Sequence, residues 1–188
     1  VSVCAEPERH AQVMLKCAAA GKHLYLDKPL AASAEDARAV AAAVGRAGVS
    51  SSMFSMVHAG VAPRARRVLR SGRLGDLRAV HLDLHFAKGP AGSARLGTPR
   101  SESRHPTEFE RTDSKRELFN VGVYPVVLLH WLLGRPARRV TAVTANYFFR
   151  EHQRNDMEDF GLMLLEFDGG VTATITACQT KCTRLKEC

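Results

Sequence analysis

The 188-residue sequence has little of what marks membrane and secreted proteins. No run of apolar residues approaches the ~18 that a membrane-spanning helix needs. No signal peptide is visible, and the chain begins with Val1 rather than with methionine. These absences argue against a membrane protein, and we expect a cytoplasmic location. They also lead us to expect that the sequence begins inside a longer protein.

Cysteine is scarce and irregularly placed. The cysteines are odd in number and scattered, which argues against a disulfide framework and for a reducing compartment: they are Cys4, Cys17, Cys178, Cys182 and Cys188. The last three fit no common zinc spacing. His81, Asp83 and His85 share a strand face, which fits a solvent or oligomer contact better than a metal site. We predict no metal centre.

Aromatic residues make up 6% of the chain and are absent from its most basic segment. The net charge of +8 comes mostly from arginine, which is densest between residues 64 and 73. The alternative is a helix that tracks phosphates, but no aromatic residues interleave with these arginines to stack bases. A solvated helix face is therefore the favoured interpretation, and we expect no nucleic acid partner.

Apolar residues are plentiful, at 45%, and in the first third of the chain they follow a repeating order. The predicted elements are a strand end at residues 1–4, a helix over 6–21 that stops at Gly21, the buried strand "HLYL", a helix over 33–48 with Ser33 as N-cap, and a third strand over 49–56. Strands that alternate with helices in this way predict a doubly wound, parallel α/β sheet.

The pattern changes near Pro63, and we place a domain boundary between residues 58 and 59. Residues 77–87 alternate as in a half-buried antiparallel strand, with Val80, Leu82, Leu84 and Phe86 on one face. "RRVTAVTANYFF" is a similar strand. "DFGLMLLEF" and "VTATITACQT" flank the turn signal Asp168-Gly169-Gly170 and predict a hairpin. Residues 59–188 therefore predict an α+β domain with a mostly antiparallel open sheet.

A polar segment and an apolar helix interrupt this second sheet. Residues 88–116 are rich in Gly, Pro, Ser and charge, and a loop of that length is either functional or mobile. "NVGVYPVVLLHWLLGRP" then predicts a helix with Asn120 as N-cap and Gly134 as terminator. The helix is apolar almost all round, so we expect it to be buried.

Two residues are placed for chemistry. Lys28 follows "HLYL" at the carboxyl end of a parallel strand, where ligands bind, and Pro29 restricts the backbone beside it. An ordinary surface lysine explains this position equally well. Tyr124 lies in the first turn of the apolar helix, where a phenol can give or take a proton. The alternative is a core tyrosine whose hydroxyl is satisfied locally.

Four segments, in this order, resemble the Gfo/Idh/MocA oxidoreductases. They are "AEPERHAQVMLKCAAAGKHLYLDKPLA", "SGRLGDLRAVHLDL", "NVGVYPVVLLHWLLG" and "EDFGLMLLEFDGGVTATIT". The third is similar to the tyrosine form found in the glucose-fructose oxidoreductase and dihydrodiol dehydrogenase branch. The resemblance extends to about Thr180. It implies the C-terminal part of a Rossmann-type domain over residues 1–58, followed by a substrate and oligomerisation domain.

The resemblance also implies roles for particular residues. Lys28 and Tyr124 would be the catalytic pair, and Asn120 and Tyr124 would contact the substrate. NAD or NADP would be the cofactor, and the residues that would line its site are Pro7, His10, Asp27, Lys28 and Pro29, with a cis bond before the proline. The partners implied are a sugar, polyol or diol substrate and a second copy of the chain, bound through the antiparallel sheet.

The sequence departs from the family pattern at several points. Asp27 stands where glutamate is usual, Asn120 where aspartate is common, and Ser114-Lys115-Arg116 where glycines are usual. No Gly-rich dinucleotide fingerprint precedes Val1. We therefore expect an internal fragment or a degenerate copy, with little cofactor binding by the fragment alone. The leading hypothesis is an NAD(P)-dependent dehydrogenase acting on CH–OH groups, and the alternative is a non-catalytic ligand-binding or interaction scaffold.

Overall fold

A computed structural model describes residues 1–87 and 116–180 of the chain. These residues fall into two compact units, each treated separately below: the first unit is Val1–Ser55, and the second unit begins at Met56. Most of the predicted loop over 88–116, including Ser114 and Lys115, lies outside the described residues, as do Cys182 and Cys188.

The first unit is a three-stranded parallel sheet with two helices. Its elements are β1 (Ser2–Val3), α1 (Pro7–Ala19), β2 (Leu24–Leu26), α2 (Ala34–Ala47) and β3 (Ser51–Met53). The strand order is β1-β2-β3, and both pairs are parallel. This confirms the predicted alternation of strands and helices in a Rossmann-type sheet.

Local signals begin and end the two helices where the sequence predicts. Pro7 occupies the first turn of α1, and Gly21, at φ +64°, lies just beyond its end. The Ser33 hydroxyl accepts a 3.0 Å hydrogen bond from the Asp36 N–H and caps α2. Gly48 ends α2 in the left-handed conformation, at φ +64°.

One face of the first sheet carries the core of this unit. Met14 of α1 and Val40 of α2 pack in one cluster with Leu24 and Leu26 of β2. Tyr25 lies on the opposite face and is 49% exposed. The strand predicted to be buried at "HLYL" is therefore buried on one face only within the described residues, because both helices pack on the same face.

The second unit is a four-stranded sheet with helices. Its elements are a 3₁₀ turn (Met56–His58), α3 (Val61–Arg70), β4 (Ala79–Ala87), α4 (Glu117–Asn120), α5 (Val123–Leu133), β5 (Ala137–Ala145), α6 (Arg150–Arg154), β6 (Phe160–Phe167) and β7 (Thr172–Thr180). The strand order is β4-β7-β6-β5. The short helix α6 was not predicted, since five residues carry too little periodicity to be recognised.

The pairing of β4 differs from the prediction. β6 pairs antiparallel with β5 and β7, but β4 pairs parallel with β7, from Ala79 opposite Thr172 to Ala87 opposite Thr180. Alternation of apolar residues reports which face of a strand is buried, and it carries no information about the direction of the partner. The sheet is therefore mixed, with antiparallel pairs in the majority.

The hairpin between β6 and β7 is confirmed in detail. Gly169 and Gly170 have φ values of +81° and +74°, which explains why glycine occupies both turn positions. The Arg138 side chain donates a 2.6 Å hydrogen bond to the Asp168 carboxylate. This bond, chiefly, lowers the pKa of Asp168 below its ordinary value, although both groups are exposed to solvent.

The two faces of the second sheet differ sharply. The inner face forms the core with Leu129 of α5, and its buried members include Met163, Leu165, Ala173 and Ile175. The outer face combines threonine, histidine and exposed leucine: Leu164 lies opposite Thr174, and His81 Nδ1 is 2.6 Å from the Thr174 hydroxyl.

The apolar helix is shorter and less buried than predicted. Asn120 is the last residue of α4 rather than the N-cap of the long helix, and α5 starts only after Gly122. A Cβ atom on Gly122 would lie 2.7 Å from the Leu118 carbonyl oxygen, so the close turn between the helices needs glycine. Pro125 and Leu129 are buried in α5, whereas Val126 is 38% exposed. Only one side of the helix packs on the sheet.

The basic helix α3 is solvated along most of its length. Arg64, Arg67 and Arg70 are exposed, as predicted. Arg66 is different, because its guanidinium lies 4.2 Å from the centroid of the Trp131 ring on α5. One arginine of the basic segment thus packs α3 against α5.

Candidate active site

The candidate site residues of the first unit lie in the turn after β2. Lys28 is half-buried between the exposed Asp27 and the buried Pro29. The Lys28 N–H donates a 2.8 Å hydrogen bond to the Asp27 carboxylate, and the Lys28–Pro29 peptide bond is cis. This turn lies at the carboxyl end of a parallel strand, which is the edge where ligands bind in such sheets.

His10 of α1 packs directly against this turn. Its ring is fully buried, with Nδ1 2.7 Å from the Pro29 carbonyl oxygen and Nε2 2.9 Å from the Ala5 carbonyl oxygen. Pro7, also buried, starts the same helix. The first unit therefore brings His10 against the turn of Asp27, Lys28 and Pro29, and His10 lies behind the turn rather than on its surface.

The candidate site residues of the second unit lie at the junction of α4 and α5. Asn120 ends α4, and Tyr124 is the second residue of α5, one helical turn further along. The Tyr124 N–H donates a 3.1 Å hydrogen bond to the Val121 carbonyl, and its side chain is half-buried. Lys28 and Tyr124 lie in different units, and their pairing is a proposal.

A buried group of charges that the sequence did not predict lies next to this junction. Arg116 and Glu158 are each 4% exposed, and their side chains approach to 3.4 Å. The Leu118 N–H lies 3.4 Å from the same carboxylate. The pair ties the start of α4 to Glu158, two residues before β6. The available signal in the sequence was a glutamate next to an aspartate directly before an apolar strand. A buried ion pair of this kind is weak evidence for stability.

Asp159 has a clear structural role. Its carboxylate accepts hydrogen bonds from three consecutive backbone N–H groups, those of Tyr147, Phe148 and Phe149, at 2.7, 2.8 and 2.9 Å. Asp159 is fully buried and holds the segment that leads into α6. These three contacts are all to backbone, so we assign Asp159 to the fold and not to the chemistry.

The surroundings of Cys178 disfavour its thiolate form. Burial, and then the charges of Glu117, Asp159 and Asp83, raise the pKa of its thiol to about 11. The thiol therefore stays protonated at neutral pH, and the thiolate is the form that reacts and binds metals. Within residues 1–87 and 116–180, no group of three or more His, Cys, Asp or Glu residues is placed to hold a metal ion.

Among the helices that the structure describes, none has the length and apolar character needed to cross a membrane.

Comparison with protein families identifies both units. Residues 1–54 match the model of an oxidoreductase family with an NAD-binding Rossmann fold. Residues 63–185, well over half of the chain, match the model of the GFO/IDH/MocA C-terminal domain. The chain belongs to the Gfo/Idh/MocA family of oxidoreductases.

Individual relatives agree with this assignment. The chain is 30% identical over 169 residues to the dTDP-3,4-didehydro-2,6-dideoxy-α-D-glucose 3-reductase of Saccharopolyspora spinosa, covering 89% of this chain and 45% of the relative. It resembles the aldose-aldose oxidoreductase of Caulobacter crescentus in complex with glycerol, with TM-score 0.74, 25% identity, and 95% and 50% of the two chains covered.

A third relative shares the fold. It is an inositol dehydrogenase homologue of Azotobacter vinelandii, solved with NADH and myo-inositol, with TM-score 0.74, 18% identity, and 98% and 46% of the two chains covered. The chain thus spans about half the length of the relatives it matches.

Proposed function

We propose that the whole protein is an NAD(P)-dependent oxidoreductase that moves a hydride to or from a hydroxyl-bearing carbon of a sugar, polyol or diol. The observation that carries this proposal is the Lys28 turn, which lies at the carboxyl edge of a parallel sheet in an NAD-binding domain. The relative at 30% identity is named as a reductase of a dTDP-linked sugar, which supports the substrate class.

The first unit fits the cofactor on its own geometry. β1, β2 and β3 run parallel, so their carboxyl ends lie side by side, and α1 begins at the same edge. A half-buried cation, Lys28, stands on that edge. We propose that Pro7, Asp27, Lys28 and Pro29 hold the nicotinamide end of NAD or NADP. Nicotinamide supplies the hydride chemistry when it is bound.

The proposed work of the protein side chains is proton transfer and charge stabilisation. The Tyr124 phenol takes the proton of the substrate hydroxyl during oxidation and returns it during reduction. The Lys28 ammonium stabilises the negative charge that develops on the same oxygen. The Asn120 amide donates or accepts a hydrogen bond from a neighbouring hydroxyl of the substrate.

Cofactor binding tests the proposal most directly. NADH and NADPH are titrated into the full-length protein by fluorescence, and turnover is followed with aldoses, myo-inositol and glycerol. We expect one of the two cofactors to bind with a Kd of about 1–100 μM, a range that corresponds to ordinary enzyme affinities. If neither cofactor binds at concentrations up to ~1 mM, the proposal that the protein is an NAD(P)-dependent enzyme is wrong. Binding without turnover of any related substrate would favour the alternative of a ligand-binding scaffold.

We further propose that the outer face of the second sheet joins two copies of the chain. Leu162 and Leu164 are 39% and 43% exposed, and Val143, opposite Leu162, is 57% exposed. Adjacent apolar side chains on a sheet face are typical of an interaction surface. We expect light scattering to show an oligomer that the change Leu164→Glu disrupts. Leu74→Glu, at an exposed leucine outside the sheet, should leave the mass unchanged.

A further inference from the structure

His10 connects two loops at the edge of the first sheet. We propose that it is a positioning residue, whose ring fixes the place of Lys28 by joining the Pro29 carbonyl to the Ala5 carbonyl. The inference rests on the proposed role of Lys28. It gives His10 a different task from direct cofactor contact, because the ring is fully buried and both of its nitrogens face backbone oxygens.

The His10 ring lies just beyond the last hydrogen bond between β1 and β2. β1 and β2 are neighbours, with Val3 opposite Leu26, and the hydrogen bond from the Asp27 N–H to the Val3 carbonyl follows at 2.9 Å. Beyond that bond the two strands lead into separate loops, one containing Ala5 and the other Pro29. The His10 ring spans the gap between these loops with its contacts of 2.7 and 2.9 Å. The ring therefore links the two loops that follow β1 and β2.

Lys28 is held from both sides by this arrangement. Its own N–H is bound by the Asp27 carboxylate at 2.8 Å, and the residue after it is anchored through the Pro29 carbonyl. Pro29 is buried and its ring restricts the backbone, so a shift of its carbonyl carries Lys28 with it. A displacement of about 1 Å at a catalytic group can cost ~10²-fold in rate.

Two amide variants separate the two contacts of the ring, and a neutral imidazole can donate a hydrogen bond through only one of its nitrogens. His10→Asn keeps a donor near the position of Nδ1 and can still reach the Pro29 carbonyl. His10→Gln keeps one near the position of Nε2 and reaches the Ala5 carbonyl instead. We expect kcat/KM of the full-length protein to fall by less than ~5-fold for Asn and by about 10–100-fold for Gln, with the loss in kcat. Equal losses in variants of equal thermal stability would show a general structural role and overturn the proposal.

A double-mutant cycle tests whether His10 acts through Lys28. In the Lys28→Met background, His10→Gln should lower kcat/KM by less than a further ~2-fold, because the group that His10 positions is already absent. Independent, additive losses would refute the inference even if Lys28 proves essential. The cycle therefore distinguishes a failure of the positioning role from a failure of the proposed function.

Hydrogen exchange gives a readout that needs neither cofactor nor turnover. In the full-length protein without ligand, we expect His10→Gln to speed exchange of the Lys28 amide relative to wild type, and His10→Asn to leave it near wild type. If Lys28→Met leaves turnover intact, the catalytic assignment of Lys28 fails, and this measurement alone decides whether His10 fixes the turn. Identical exchange in the two variants would overturn the positioning role.

Discussion

Tyr124→Phe is expected to lower kcat/KM of the whole protein by about 10²–10⁴-fold, the usual contribution of a general acid or base. Phenylalanine keeps the aromatic ring in the first turn of α5 and removes the oxygen alone, so the packing of the helix should survive. Steady-state kinetics with the best substrate of the panel, together with NADH or NADPH titration, measure the two effects separately. We expect cofactor affinity to stay within a few-fold of wild type.

The chain offers a matched control for this change. Tyr25 is 49% exposed on β2, and Tyr25→Phe removes the same oxygen from a residue with no proposed role in the chemistry. It should leave kcat/KM unchanged. If Tyr124→Phe also retains turnover within a few-fold, the proton-transfer role belongs to another group, although the protein can still be an oxidoreductase.

Lys28→Met is expected to lower kcat/KM by about 10²–10³-fold, the effect of losing one donor to a developing oxyanion. Methionine preserves most of the aliphatic length and removes the ammonium charge. Lys28→Arg should restore little, because a planar guanidinium places its charge and its donors differently from an ammonium. Kinetics of the three proteins with the same substrate and cofactor give the comparison.

Lys22→Met is the matched control for the lysine. Lys22 is exposed before β2 in the same unit, so the change removes one positive charge at a comparable position in the chain. Equal losses in the Lys22 and Lys28 variants would indicate a general electrostatic effect on the anionic cofactor, and would remove Lys28 from the chemistry.

The order of elements could be predicted because its signals are local. The Ser33 cap, the glycine ends of α1 and α2, and the Asp168-Gly169-Gly170 turn each depend on a few neighbouring residues. Such signals retain their meaning in any fold. Lys28 and Tyr124 could be selected as candidates for the same reason, since strand ends and helix starts are readable in the sequence.

The features that the sequence missed depend on residues far apart. The parallel pairing of β4, the packing of Arg66 on Trp131 and the buried Arg116–Glu158 pair each join segments that no local pattern connects. The prediction of Asn120 as an N-cap was wrong for a related reason. Asparagine is a good N-cap, but here the chain is already helical from Glu117, so Asn120 ends one helix instead of starting the next. The bond between His10 and Pro29 likewise becomes visible only when α1 is packed on β2.

The parallel pairing of β4 with β7 sets an order for folding. Paired residues of the two strands, such as His81 and Thr174, are 93 positions apart in the chain. Because the strands are parallel, every residue pair between them has this separation. Closing so long a loop is slow compared with forming the β6–β7 hairpin, whose strands are adjacent. During synthesis β4 emerges long before its partner and must wait with an unpaired edge. We expect it to be the last strand of the sheet to dock, onto a hairpin that has already formed.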